Sequence, residues 1–134
     1  MTNLASKFRI AILCEDIRDE VGDKKSLMGV MTGDIVLGSL PSMLQIAFFL
    51  EYAPNSAQEA EVSFVFRLMQ DENEVLKAGM TAKIPAGHSA NLILPRGLMR
   101  VDKECVFGLR VSVNDGPEEE ILKKRIFAQT PVVS

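Results

Sequence analysis

The sequence has no tryptophan, one tyrosine, one histidine and two cysteines. These scarcities exclude whole classes of chemistry. Zinc sites of the usual kind need several His or Cys ligands, and here Cys14 and Cys105 stand apart, with no Cys-x-x-Cys pair and no His beside either. No metal or cofactor site is predicted. The single histidine, His88, lies in the polar stretch Pro85-Ala86-Gly87-His88-Ser89. Ser89 lacks the Gly-x-Ser-x-Gly elbow of a serine nucleophile, so His88 reads as an exposed loop residue. Seven phenylalanines and seven methionines are core-like material, whereas interface hot spots favour Trp and Tyr.

Long apolar runs are missing as well. The longest, residues 43–50, contains Gln45 and stops at Glu51, well short of the ~20 residues of a membrane span. Residues 1–7 are polar, and the apolar stretch 10–14 is cut at once by Glu15-Asp16, unlike a signal peptide. A cytoplasmic chain is predicted, with Cys14 and Cys105 reduced and buried rather than joined in a disulfide. The densest basic stretch, Lys123-Lys124-Arg125, follows Glu118-Glu119-Glu120 after two intervening residues, and the net charge is −3. Such a surface repels phosphate backbones, which disfavours nucleic acid as a partner.

What is present is one domain's worth of ordinary globular sequence: 134 residues, 47% hydrophobic and 25% charged, without repeat or linker. Its dominant periodicity is two. Val62, Phe64, Phe66 and Leu68 alternate with Glu61, Ser63 and Arg67, and Cys105, Phe107, Leu109, Val111 and Val113 alternate with Gly108, Arg110 and Ser112. Successive side chains of a strand point to opposite faces, so each set marks a strand with one buried face. Phe8, Ile10, Ile12 and Cys14 make a third set, with Arg9 and Glu15 facing away. Residues 26–37 suggest a fourth strand, bent or bulged at Gly29 or Gly33. Residues 75–84 and 90–94 add two more, bounded by the turn clusters Pro85-Ala86-Gly87 and Pro95-Arg96-Gly97.

Two segments fit either secondary structure. Leu44, Ile46, Phe48, Leu50 and Tyr52 alternate, yet Ser39 and Pro41 resemble a helix start; the flanking strands favour a strand over 42–53. Residues 118–127 carry acidic residues early and basic residues late, as a helix dipole prefers. Asn114-Asp115-Gly116 just before them is a strong hairpin signal and favours a returning strand, Glu119–Ala128. About eight strands with recurrent turns predict an all-β fold, an antiparallel two-sheet sandwich over residues 1–134. There is no alternation of strand and helix patterns, so a parallel nucleotide-binding sheet is not expected.

Polar chemistry concentrates at Glu15, Asp16, Arg18, Asp19 and Glu20. Converging carboxylates could ligate a hard cation, but consecutive strand residues point apart and the spacing is not that of an EF-hand loop. A solvated strand end leading to the turn at 21–25 is the plainer reading. Arg18 is then a loop-fixing ion-pair partner or a contact residue. The stretch Asp71-Glu72-Asn73-Glu74 reads as a tight hairpin turn. Apolar residues on what should be outer faces, Phe49, Val65 and Met69, form a candidate contact patch unless another element covers them.

The run Cys14-Glu15-Asp16-Ile17-Arg18-Asp19-Glu20, then Lys25-Ser26-Leu27-Met28-Gly29-Val30 and the Leu40-Pro41 step, resembles the opening of a family of small bacterial β-proteins. That family is a domain of unknown function. The resemblance covers about the first third of the chain, and Met31 replaces an aromatic expected after Gly-Val. It implies an immunoglobulin-like sandwich and no assigned activity.

Three functions compete on these grounds. The leading expectation is a non-catalytic sandwich that binds a protein partner or itself, as a homodimer or stable complex. A small enzyme using Glu15, Asp16, Arg18 and Glu20 would need those side chains to converge in a pocket. A calcium-dependent membrane binder would need the acidic stretches 15–20, 71–74 and 114–120 at one end.

Overall fold

Alternation is the rule that builds the chain, and the computed structural model, which describes residues 7–129, shows where it is kept and where it breaks. Ten strands form: β1 (Phe8–Cys14), β2 (Asp16–Glu20), β3 (Lys24–Met28), β4 (Ile35–Leu37), β5 (Ser42–Tyr52), β6 (Ala60–Gln70), β7 (Asn73–Ile84), β8 (Ala90–Val101), β9 (Cys105–Val113) and β10 (Glu119–Ala128). The fold is all-β. A five-stranded sheet runs β4-β10-β9-β6-β7, a three-stranded sheet runs β1-β5-β8, and β2-β3 is a separate hairpin.

The two larger sheets share one apolar core in a sandwich-like arrangement. Val62, Phe64, Phe66, Leu109 and Val111 are all buried there, as alternation predicts. Rings from opposite sheets touch: Phe48 of β5 stacks on Phe107 of β9 at 6.0 Å, and Tyr52 of β5 meets Phe64 of β6 edge-on at 5.0 Å. Burying one such side chain stabilises by roughly 1.5–3 kcal/mol. Both ambiguous segments are strands. In β10, Leu122 and Ile126 are buried and Lys124 between them is half-buried; the early acidic and late basic residues that suit a helix dipole instead spread along a strand.

The connections follow turn chemistry. Asn114 and Asp115 both adopt positive φ, and the Gly116 N–H donates to the Val113 carbonyl at 2.9 Å, a tight turn that opens the connection from β9 to β10. The turn after β6 narrows to Asp71-Glu72, because Gln70 already pairs with Asn73.

Five expectations need correction. There are ten strands rather than about eight, and β4 pairs with β10 in parallel, so the pairing is not wholly antiparallel. The stretch 26–37 is two strands in two different sheets. Gly29 (φ 64) turns the chain where a Cβ would lie 2.7 Å from Glu15 Cδ, a space only glycine leaves open. Pro95-Arg96-Gly97 is no turn: Ile46 pairs with Gly97 and Phe48 with Leu94, so Pro95 and Arg96 together oppose Ala47 as a bulge within β8. As an edge strand, β8 tolerates the missing proline N–H. Finally, a register shift between Phe8 and Ile10 breaks the alternation of β1. Phe8, Ala11 and Leu13 thereby join the core, while Ile10 and Ile12 pass to the outer face alongside Phe49.

Candidate functional site

The acidic run forms one arm of the β2–β3 hairpin, and its charges are shared out along it. Asp19 pairs with Lys25 directly across the hairpin, and the Ser26 hydroxyl donates to Glu20 at 2.7 Å. Asp16 accepts from the Ile17 N–H at 2.9 Å and faces Arg18 at 3.5 Å and Arg96 at 4.0 Å. Glu15 lies over Gly29. These side chains spread along a ribbon and do not converge. Among the described residues no group of three His, Cys, Asp or Glu could hold a metal ion. The Val21-Gly22-Asp23 tip carries a fully exposed valine.

The tips of two acidic stretches, Asp71-Glu72 and Asn114-Asp115, lie at opposite ends of β6, although the chain after the second returns along β9 until Glu118 shares Arg67 with Glu74, and Glu120 lines one hollow with Asp71 and Glu72. Asn114 donates from its backbone to Ser63 near the start of β6, whereas Asp71 follows the last residue of β6 and donates to Val106 at the start of β9. The length of β6 separates the two turns. His88 is exposed in its loop.

Both cysteines are buried and free. Burial pushes the Cys14 thiol above its ordinary value, which the Asp16 backbone hydrogen bond partly offsets; burial and then the nearby Asp71 charge raise Cys105. Neither is poised as a nucleophile.

Phe49, Val65 and Met69 do not make one exposed patch. Met69 is buried, at 3% exposure, which corrects the expectation. In register it lies beside Gly108, which is followed by Lys123 of β10, and it shares a polar hollow with Arg110 and Glu120. The missing Gly108 side chain leaves the room; a Cβ there would sit 2.6 Å from Glu120 Oε2. Val65 is half-buried on this same outer face, in register with Gly79 and Ser112. Arg67 bridges Glu74 and Glu118, each at 2.8 Å, and those hydrogen bonds raise its pKa. Phe49 lies on the other outer face, half-buried between Ile12 of β1 and Ile93 of β8.

The feature that sequence reasoning missed lies between the edges β7 and β8. There the two sheets part and leave an apolar groove of about 140 Å³. Its floor is core: Ile46, Phe48, Leu68 and Met99. Its rim is Val75, Leu76 and Leu98, which expose 42%, 56% and 68% of their surface. Bulges shape both walls. Leu68 pairs with Leu76 and Met69 with Glu74, so Val75 is an extra residue in β7, facing the Pro95–Arg96 bulge of β8 across the gap. Bulges end regular pairing and re-aim side chains, which holds these edges open. The adjacent apolar pair Val75-Leu76, which breaks the alternation, was the one signal in the sequence. Glu15, Asp16, Arg18 and Glu20 line neither the groove nor the polar hollow.

Compared with known proteins, the chain matches no protein-family model and no curated protein. No helix among the described residues is long and apolar enough to cross a membrane.

Proposed function

We propose that the chain is a non-catalytic, immunoglobulin-like β-sandwich that binds a protein partner through the β7/β8 groove. It would act in the bacterial cytoplasm, within the family its opening resembles. The observation that carries this reading is the groove itself: a rim of exposed Leu76 and Leu98 over a floor of core residues. Water meets there an apolar surface continuous with the interior, which a partner's apolar side chain would cover. A photo-crosslinking residue placed at Leu98, compared with one at the equally exposed Val36 on β4, tests it in the native host. A defined partner captured from position 98 and not from 36 is the expected result. Equal capture, or none, would overturn the reading.

A homodimer remains the second reading, favoured by the half-buried outer face formed by Ile10, Ile12, Phe49 and Ile93. Sedimentation equilibrium at micromolar concentration should then give twice 14.8 kDa, and a Phe49→Glu variant should return the monomer. A wild-type species of 14.8 kDa would dismiss it.

A further inference from the structure

Strand β7 is twelve residues long and pairs only with β6, so its far edge hydrogen-bonds to no strand among the described residues, β8 lying across the groove from its Val75–Leu76 end. Such an edge presents unpaired N–H and C=O groups to any extended chain. Register with β6 sorts its two faces. Leu76, Ala78, Met80 and Ala82 align with the inward Leu68, Phe66, Phe64 and Val62. Of these four, Ala78, Met80 and Ala82 are half-buried, so small or flexible side chains cover the core thinly here. On the outer face stand Lys77, Gly79, Thr81 and Lys83, all exposed.

The charges along this edge select what could pair with it. Neither Lys77 nor Lys83 forms an ion pair among the described residues. Lys83 stands in register with Glu61 without bonding to it, and Arg67, in register with Lys77, is held by Glu74 and Glu118. A second copy pairing along β7 would bring two more lysines to the same face, and like charges across a strand pair are unfavourable. A strand with acidic residues outward and apolar residues inward meets both lysines and covers the thin flank of the core.

Resting on the groove reading, we infer that the partner supplies an extended segment of alternating acidic and apolar residues, which adds to the sheet along β7. Main-chain hydrogen bonds to the edge give affinity, and alternate side chains give selectivity. Its apolar side chains continue the inner face past Leu76 into the groove, and its carboxylates lie beside Lys77 and Lys83.

The test titrates the full chain with a capped, labelled octapeptide alternating Val and Glu, and with a matched Val/Lys peptide. Expected are binding of the Val/Glu peptide about tenfold tighter than the Val/Lys peptide, and backbone amide shifts concentrated in β7. Lys77→Glu/Lys83→Glu should reverse the preference, and Lys77→Gln/Lys83→Gln should abolish it without reversal. Equal affinity for the two peptides, amide shifts elsewhere, or no binding would overturn the inference. Partner capture at position 98 without any acidic preference overturns this inference alone. Failure of that capture as well overturns the groove reading with it.

Discussion

Two parts of the interior are closed in different ways. Around Tyr52, Phe64 and Phe107, rings from both sheets touch and exclude water, and Phe64 and Phe107 are at most 1% exposed. Around Leu68 and Met99 the same two sheets still supply buried side chains, but the edges β7 and β8 bulge apart and the floor opens to solvent. One composition serves both regions. What differs is the backbone at the edges: in the open region one extra residue in each of β7 and β8 keeps the sheets from sealing. Stability is thus concentrated in the first region, and capacity for binding in the second.

The largest effect should come from the closed region. Phe107→Ala removes a ring stacked on Phe48 and should cost about 3–5 kcal/mol in denaturant unfolding. A loss under about 1 kcal/mol would contradict the contact. A matched pair sharpens the comparison. Leu50→Ala leaves a cavity in a closed environment and should fall near the upper end of about 2–5 kcal/mol. Leu68→Ala, whose vacancy merges with the open groove, should fall near the lower end. Equal losses would show the groove to be sealed in solution. At the rim, Leu98→Arg should change stability by no more than about 0.5 kcal/mol while reducing partner capture, because its side chain is exposed.

The smallest effect is electrostatic. Asp34 accepts from the Arg125 backbone N–H at 3.2 Å, and this bond, with the Arg125 guanidinium, lowers its carboxyl pKa. A depressed carboxyl pKa adds stability that is present above the unfolded value of about 4 and lost as pH falls through the folded one. Wild type should therefore lose slightly more stability than Asp34→Asn as pH drops from about 5 to 3. Identical pH profiles would remove Asp34 from the account. This bond joins the loop before β4 to β10, outside both regions of the comparison, and sets its lower limit of size.

Much of the core was legible because alternation is a local rule. Phe64 and Phe107 sit in unbroken period-two runs, so their burial followed from spacing alone. Glu119–Ala128 was legible for another reason: Asn114-Asp115-Gly116 turns the chain back, and a returning chain beside a half-buried strand completes its pairing. The candidate site was hardly legible. Glu15, Asp16, Arg18 and Glu20 stood out by charge density, yet cross-strand and neighbouring partners absorb most of that charge. Met69 read as exposed by parity, but no local rule reports that Gly108 leaves it a place to lie.

By itself, then, the sequence determined an all-β chain, the buried faces of β6 and β9, two buried thiols and the hairpin turns. Each depends on a residue and its near neighbours. Only the tertiary structure decided that Ile10 and Ile12 face outward, that β4 joins β10 in parallel, and that β7 and β8 stand apart over open core. Those outcomes depend on which strands lie side by side and on single-residue shifts in register. A shift of one residue exchanges the two faces of a strand, and nothing in the strand's own alternation marks where it falls.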